Sequence, residues 1–189
     1  MRLLSCLVFV AATSAVVVAA DDFKLEPGFK LLFNGKNLDG WRTKAAGKDG
    51  KAESLDGKTD AYAGRYKVVG GELVIDPKVK GDRYIETAQE LGGDIAIRFD
   101  FNPGEGCNND LLYRGTKFDI KAGEKGGLKG VKVGAWNKAE VVVKGGSADF
   151  LVNGEKMGTQ KTKTDKGVFT IRAEFGPIVI KNLRAGEVK

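Results

Sequence analysis

The stretch DIAIRFDFN (Asp94–Asn102) decides how this chain folds. Ile95, Ile97, Phe99 and Phe101 occupy alternate positions, and Ala96, Arg98, Asp100 and Asn102 fill the gaps. A period of two sends the first set to one side of a β-strand and the second set to the other. One side is written for a core and the other for solvent, the pattern of an antiparallel sheet packed on one face.

The same pattern continues outward. GRYKVVGGELVID (Gly64–Asp76) reads as a hairpin turning at Gly70-Gly71. Shorter strand runs follow at Arg83–Ala88, Asp110–Arg114, Lys117–Ala122, Lys138–Lys144, Ala148–Asn153, Val168–Glu174 and Ile178–Leu183. Helical periodicity is almost absent, and 27 glycines punctuate the runs. Many short strands at regular spacing predict an all-β antiparallel sandwich. In LLFNGKNLDGW (Leu31–Trp41), turns at Asn34-Gly35 and Asp39-Gly40 deliver one of the two tryptophans towards a core. The polar segment Thr43–Gly64 reads as one long loop within the domain.

The chain opens with MRLLSCLVFVAATSAVVVAA, an Arg followed by an apolar, small-residue run ending before Asp21-Asp22. This is the pattern of a signal peptide over residues 1–20, with a membrane anchor as the competing reading. Residues 21–189 are then a single exported domain, in the periplasm, outside the cell or at its envelope. No other segment is apolar and long enough to span a membrane. Without Arg2 the formal charge falls from +6 to +5, an interspersed basic balance typical of a solvated surface. Cys6 leaves with the signal, so Cys107 stands alone and no internal disulfide forms.

Histidine is absent. That excludes His-dependent triads, His-ligated zinc and imidazole bases. Catalysis falls to Asp, Glu, Lys, Tyr, Cys or a bound ion.

Strand parity points to a candidate site. If Asp94–Asn102, Asp110–Arg114 and Lys117–Lys121 are neighbours, one sheet face carries Asp100 and Asp119 flanked by Arg98, Arg114 and Lys121. Such a face is either a solvated set of ion pairs or a carbohydrate cleft. In the second case carboxylates accept from sugar hydroxyls and move protons, and Arg holds an anion or a polarised carbonyl oxygen. Two carboxylates on one face are also the minimum for ordinary glycoside hydrolysis. Weaker candidates are Cys107 as a nucleophile and the loop acids Asp49, Asp56 and Asp60 as calcium ligands, the latter lacking EF-hand spacing. No other cofactor is expected. The basic run Lys121–Lys132 has no interleaved aromatics, so nucleic acid is not an expected partner. Trp41 and Trp136 either stack on sugar rings or fill the core.

Five motifs stand in one order: LFNGKNLDGW, YKVVGGELVI, NNDLLYRG, WNKAEVVVKGGSADFLVNGEKM and GPIVIKNLRA. Together they resemble the secreted 3-keto-disaccharide hydrolase family over nearly the whole mature chain. The resemblance implies a concanavalin-like jelly-roll sandwich and a saccharide partner. Asn108 through Arg114-Gly115 matches the family's asparagine-led strand, with Asn109-Asp110 where Ser-Gly is usual. Asp100 matches its acidic core strand, Asp119 and Lys121 match a Glu-x-Gln strand loosely, and Trp136-Asn137 and Asn153-Gly154 are present. Tyr66 stands at a usual Trp. The implied chemistry starts from a ketone at sugar C3, which acidifies the C2 hydrogen. A carboxylate removes that hydrogen, the C1 substituent leaves, and water adds back. The resemblance implies Asp100 or Asp119 as base, Arg114 holding the ketone oxygen, Asn108 positioning, and Asp110, Arg98, Lys121 and Trp136 lining the sugar site.

Three readings remain open: such a hydrolase, a lectin-like module on the same face, and a structural envelope protein. A raised carboxylate pKa in a pocket marks the first. Exposed aromatics round a groove mark the second, and a face closed by salt bridges the third.

Overall fold

Alternation becomes a sandwich in which the apolar sides of two sheets face each other. The computed structural model describes residues 23–45, 50–123 and 126–188. The expected signal peptide and Asp49 lie outside the described residues.

The first strands are β1 (Phe29–Leu31), β2 (Trp41–Thr43), β3 (Asp60–Ala61), β4 (Tyr66–Val69) and β5 (Glu72–Ile75). Next come β6 (Arg83–Thr87), β7 (Leu91–Gly92), β8 (Ile95–Pro103), β9 (Asn108–Tyr113) and β10 (Thr116–Lys121). The last are β11 (Asn137–Lys144), β12 (Ser147–Val152), β13 (Glu155–Lys161), β14 (Lys166–Gly167), β15 (Phe169–Phe175) and β16 (Ile178–Glu187).

The larger sheet runs β13-β12-β11-β8-β16-β5-β4-β3, with β1 also paired to β16. The smaller runs β10-β9-β15-β6-β2, and β14 pairs with β7 as a short ribbon. The pairings are antiparallel, and strands distant in sequence lie side by side, so the fold is an all-β concanavalin-like jelly roll.

The core lies between the sheets. In β8, Ile95, Ile97, Phe99 and Phe101 are buried, as their spacing requires. Phe118 of β10 stacks on Phe150 of β12 with centroids 5.1 Å apart, joining the two sheets. Each such apolar side chain contributes about 1.5–3 kcal/mol on burial. Trp41 is fully buried and its indole N–H donates to Leu32 O at 2.7 Å, so the Leu31–Trp41 turns do place it in the core.

Two expectations change, and one strand stands where alternation marked none. The Thr43–Gly64 segment is not plain loop: Ser54 bridges to Arg42, Leu55 is buried, and β3 pairs with β4. β13 has no apolar alternation, because it is an edge strand exposed along most of its length. Most consequentially, β8 does not neighbour β9 and β10. The chain crosses after Pro103, so β8 lies in the larger sheet and β9 and β10 in the smaller. Outward residues of the two sheets point in opposite directions, which separates Asp100 and Arg98 from Asp119, Asp110 and Lys121.

Candidate functional site

The site is built on the outer face of the five-stranded sheet. A two-residue turn, Arg114-Gly115, joins β9 to β10, with φ of 48° and 75° at its two positions. Two positive values are the signature of the hairpin turn whose twist matches its strands. The register it sets puts Asp119 opposite Asp110, Lys117 opposite Leu112 and Lys121 opposite Asn108. β15 then puts Arg172 opposite Asp110, and β6 puts Tyr84 opposite Arg172. One row across the sheet therefore reads Asp119, Asp110, Arg172, Tyr84. The adjacent row reads Lys117, Leu112, Thr170, Glu86, Arg42.

Charge is tightly organised along the first row. The Asp110 side chain is 1% exposed; Oδ2 accepts from Arg172 at 2.6 Å and lies 3.3 Å from Lys117 Nζ. Its Oδ1 is buried with no hydrogen-bond partner among the described residues, and so is Asn108 Oδ1 two residues back on the same side. Lys117 Nζ also reaches Asp119 at 2.8 Å, and Lys121 Nζ reaches Asp119 at 3.2 Å. Burial works to raise the Asp119 pKa, but hydrogen bonds from Lys117 and Lys121 outweigh it and bring the carboxyl down to about 2. Arg172 also binds Asp82 and, at 3.0 Å, Glu174. Burial opposes its charge, yet Asp82 and Asp110 outweigh that and raise its pKa.

A cleft of about 1010 Å³ opens at the sheet edge, walled by Lys44, Glu53, Asp60, Tyr62, Asp82 and Tyr84 among others. A hollow of about 350 Å³ bounded by Lys44, Glu86, Leu112, Arg114, Lys117 and Thr170 adjoins it along the second row.

The structure thus brings together Asp119, Asp110, Lys121 and Asn108 of the expected site. Arg114 borders the hollow but has another task. Its guanidinium lies over the Tyr113 ring and donates to Gly93 O at 2.9 Å and Leu91 O at 3.4 Å, fastening β7 to the hairpin. The rest lies on the far sheet. Asp100 accepts from Asn182 Nδ2 at 2.6 Å in a separate hollow of about 290 Å³. Arg98 donates to Glu140 at 2.6 Å, approaches Glu26 at 3.8 Å and covers the Phe29 ring, a clasp on the N-terminal segment. Trp136 is 40% exposed beneath the Lys181 ammonium, away from the carboxylate row.

Among the weaker candidates, Cys107 and Asp56 have structural partners. Cys107 is 2% exposed, and burial pushes its thiol up to about 11 despite a hydrogen bond from Asn109. Asp56 accepts from the Gly40 amide and the Ser54 hydroxyl. Among the described residues no group of three or more Asp, Glu, Cys or His side chains is arranged to hold a metal. In the basic run, Leu128 and Val131 pack on the core and Lys129 pairs with Glu155.

Arg172, Tyr84, Glu86 and Lys44 escaped sequence reasoning. Parity in FTIRAEF and RYIET does mark Thr170, Arg172, Tyr84 and Glu86 as outward. No local signal says that β15 slots between β9 and β6.

Residues 28–131 match the model of the 3-keto-alpha-glucoside-1,2-lyase-like domain family. Among curated proteins nothing matches the chain. Several solved structures share its fold. A candidate glycosyl hydrolase from Parabacteroides distasonis is 17% identical with a TM-score of 0.59, over 86% of this chain and 94% of that one. Porphyranase B from Zobellia galactanivorans is 12% identical at 0.52, over 84% and 92%. The carbohydrate-binding module CBM66 from Bacillus subtilis is 13% identical at 0.51, over 78% and 96%. The family match spans more than half of the sequence and takes in β6, β9 and β10 of the carboxylate row, so the chain belongs to the carbohydrate-active 3-keto-alpha-glucoside-1,2-lyase-like domain family.

Proposed function

We propose that this protein is an exported enzyme that cleaves 3-keto-glycosides on the outer face of the five-stranded sheet, with residues 1–20 directing export. The observation that carries the reading is the cross-strand Asp110–Asp119 pair flanking one Lys117 ammonium, which borders the hollow of about 350 Å³. A carboxyl held at about 2 has no proton to give at neutral pH, so Asp119 cannot serve as the acid of an ordinary two-carboxylate glycosidase. As a base it has a use. The keto sugar draws Lys117 to its ketone oxygen and Lys121 to its glycosidic oxygen. Burial, no longer opposed by the two ammonium groups, then strengthens Asp119 as a base, and it takes the C2 proton. Charge developing on the ketone oxygen is met by Lys117. The C1–O bond breaks, and the departing oxygen takes a proton from Lys121. Water then adds its hydroxide to C1, its proton reloads Lys121, and Asp119 returns the proton to C2.

The test is NMR of the mature protein with a 3-keto-disaccharide beside its unoxidised parent. Cleavage of the keto sugar alone is expected, with Asp119→Asn lowering the rate at least a hundredfold, about the lower end of what a positioned base supplies. Inertness of wild-type protein towards both sugars overturns the reading.

One observation favours a second reading, a glycan-binding module without chemistry. The carboxylates are cross-braced by Lys117, Lys121 and Arg172, and Asp119 is lowered, not raised. Saturable shifts with either sugar and no turnover would select it.

A further inference from the structure

The cleft at the sheet edge is larger than the carboxylate row uses, and it lies on the side of Tyr84 away from Asp119. Three strand-to-strand steps separate Asp119 from Tyr84, about 14 Å at the usual spacing. A sugar ring reacting at Asp119 therefore leaves the cleft to other rings of the same molecule.

Tyr84 is distinct among the four tyrosines. Tyr62 donates to Tyr84 O at 2.9 Å, Tyr113 to Leu91 O at 3.0 Å, and the Tyr66 hydroxyl lies 2.7 Å from Arg83 O. The Tyr84 hydroxyl has no such partner among the described residues, although Lys44 lies 5.0 Å and Arg172 5.7 Å from the centre of its ring. Around it, the wall residues Lys51 and Lys58 and the acids Glu53 and Asp60 form no ion pair among the described residues. Donors and acceptors of both charges thus converge on one space without satisfying one another. That mixture suits a neutral polyol, whose hydroxyls donate and accept in turn, better than an anion. The wall also holds Tyr62 at φ 54°, a conformation costing about 1–3 kcal/mol and kept where the surroundings over-determine it.

We propose that this cleft is a distal sugar subsite, with Tyr84 its stacking and hydrogen-bonding platform, so that the preferred substrate is a neutral oligosaccharide of three or more rings. The inference rests on the reading that the carboxylate row is the reacting centre.

The experiment compares 3-keto-maltose with 3-keto-maltotetraose, oxidised at the same terminal ring, in steady-state kinetics. Unoxidised maltose and maltotetraose are compared in parallel by calorimetric titration. Wild-type protein should show a KM for the tetrasaccharide at least tenfold below that for the disaccharide at similar kcat. Tyr84→Ala should abolish that advantage, and Tyr84→Phe should retain part of it through the ring. Equal KM values for both lengths, or a length advantage that survives in Tyr84→Ala, overturn the proposal. If no keto sugar is turned over, the reacting centre is wrong, while calorimetry still decides the subsite. Tighter binding of maltotetraose, lost in Tyr84→Ala, upholds it, and length-independent or undetectable binding overturns it.

Discussion

Asp119 and Cys107 show what environment does to a side chain of ordinary chemistry. Asp119 is brought down to about 2, its burial outweighed by hydrogen bonds from Lys117 and Lys121. A carboxyl whose pKa is lower folded than unfolded contributes stability above the unfolded value, and that contribution is lost as pH falls through the folded one. The window therefore runs from about pH 4, the ordinary carboxyl value, down to about 2. Thermal unfolding of wild-type protein should weaken across that window more than that of Asp119→Asn, and parallel curves would refute the ion-pair account. Cys107 is a lone cysteine on paper, and only its surroundings show it to be inert. With its thiol buried and pushed up to about 11, it should resist a disulfide-forming thiol reagent at pH 8 until the protein is unfolded in guanidinium. Rapid labelling of native protein would contradict that burial.

At the scale of elements, the hairpin of β9 and β10 carries most of the site. Its turn begins with Arg114 at φ 48°, where Asn153, Gly70 and Gly145 begin the comparable hairpin turns. A long side chain in the left-handed region costs about 1–2 kcal/mol, and here the cost is offset by two hydrogen bonds onto β7. Arg114→Gln should destabilise the protein by about 2 kcal/mol in urea, the worth of hydrogen bonds from a charged donor, and should speed hydrogen exchange around Leu91–Gly93. An unchanged exchange pattern there would return Arg114 to the list of substrate ligands. Elements were legible in the sequence where apolar residues alternate, as in β8, β11 and β12, and around glycine pairs. They were not legible in β7 and β14, two residues each, or in the exposed edge β13. Such strands bury no alternating face, so nothing in their composition announces them.

For the whole molecule, the two sheets divide the expected site in two. Asp100 and Asp119 both point outward from a core-facing strand, but from opposite sides of the sandwich. Asp100→Asn should leave keto-sugar turnover within about twofold of wild type while Asp119→Asn abolishes it, given the hundredfold or larger effect of losing a base. The reverse ranking would move the reacting centre to the larger sheet. Trp41, fully buried where the N-terminal turns close on the core, tests the sandwich itself. Trp41→Ala should cost about 3–5 kcal/mol in denaturant, the usual penalty for emptying so large a buried volume.

The sequence by itself determined which side of each strand is buried, where the hairpins turn, that histidine chemistry is unavailable, and which family the motifs resemble. These are local properties, because a period of two and the positive φ of a turn are set within a few residues. Only the tertiary structure decided which strands share a sheet. Asp110 meets Arg172 across 62 residues of chain, and Tyr84 joins the row through a strand that sequence order places before β8. Alternation specifies a side and never a neighbour. The parity of Asp100 was therefore readable, while its separation from Asp119 followed only from how the strands cross between the two sheets.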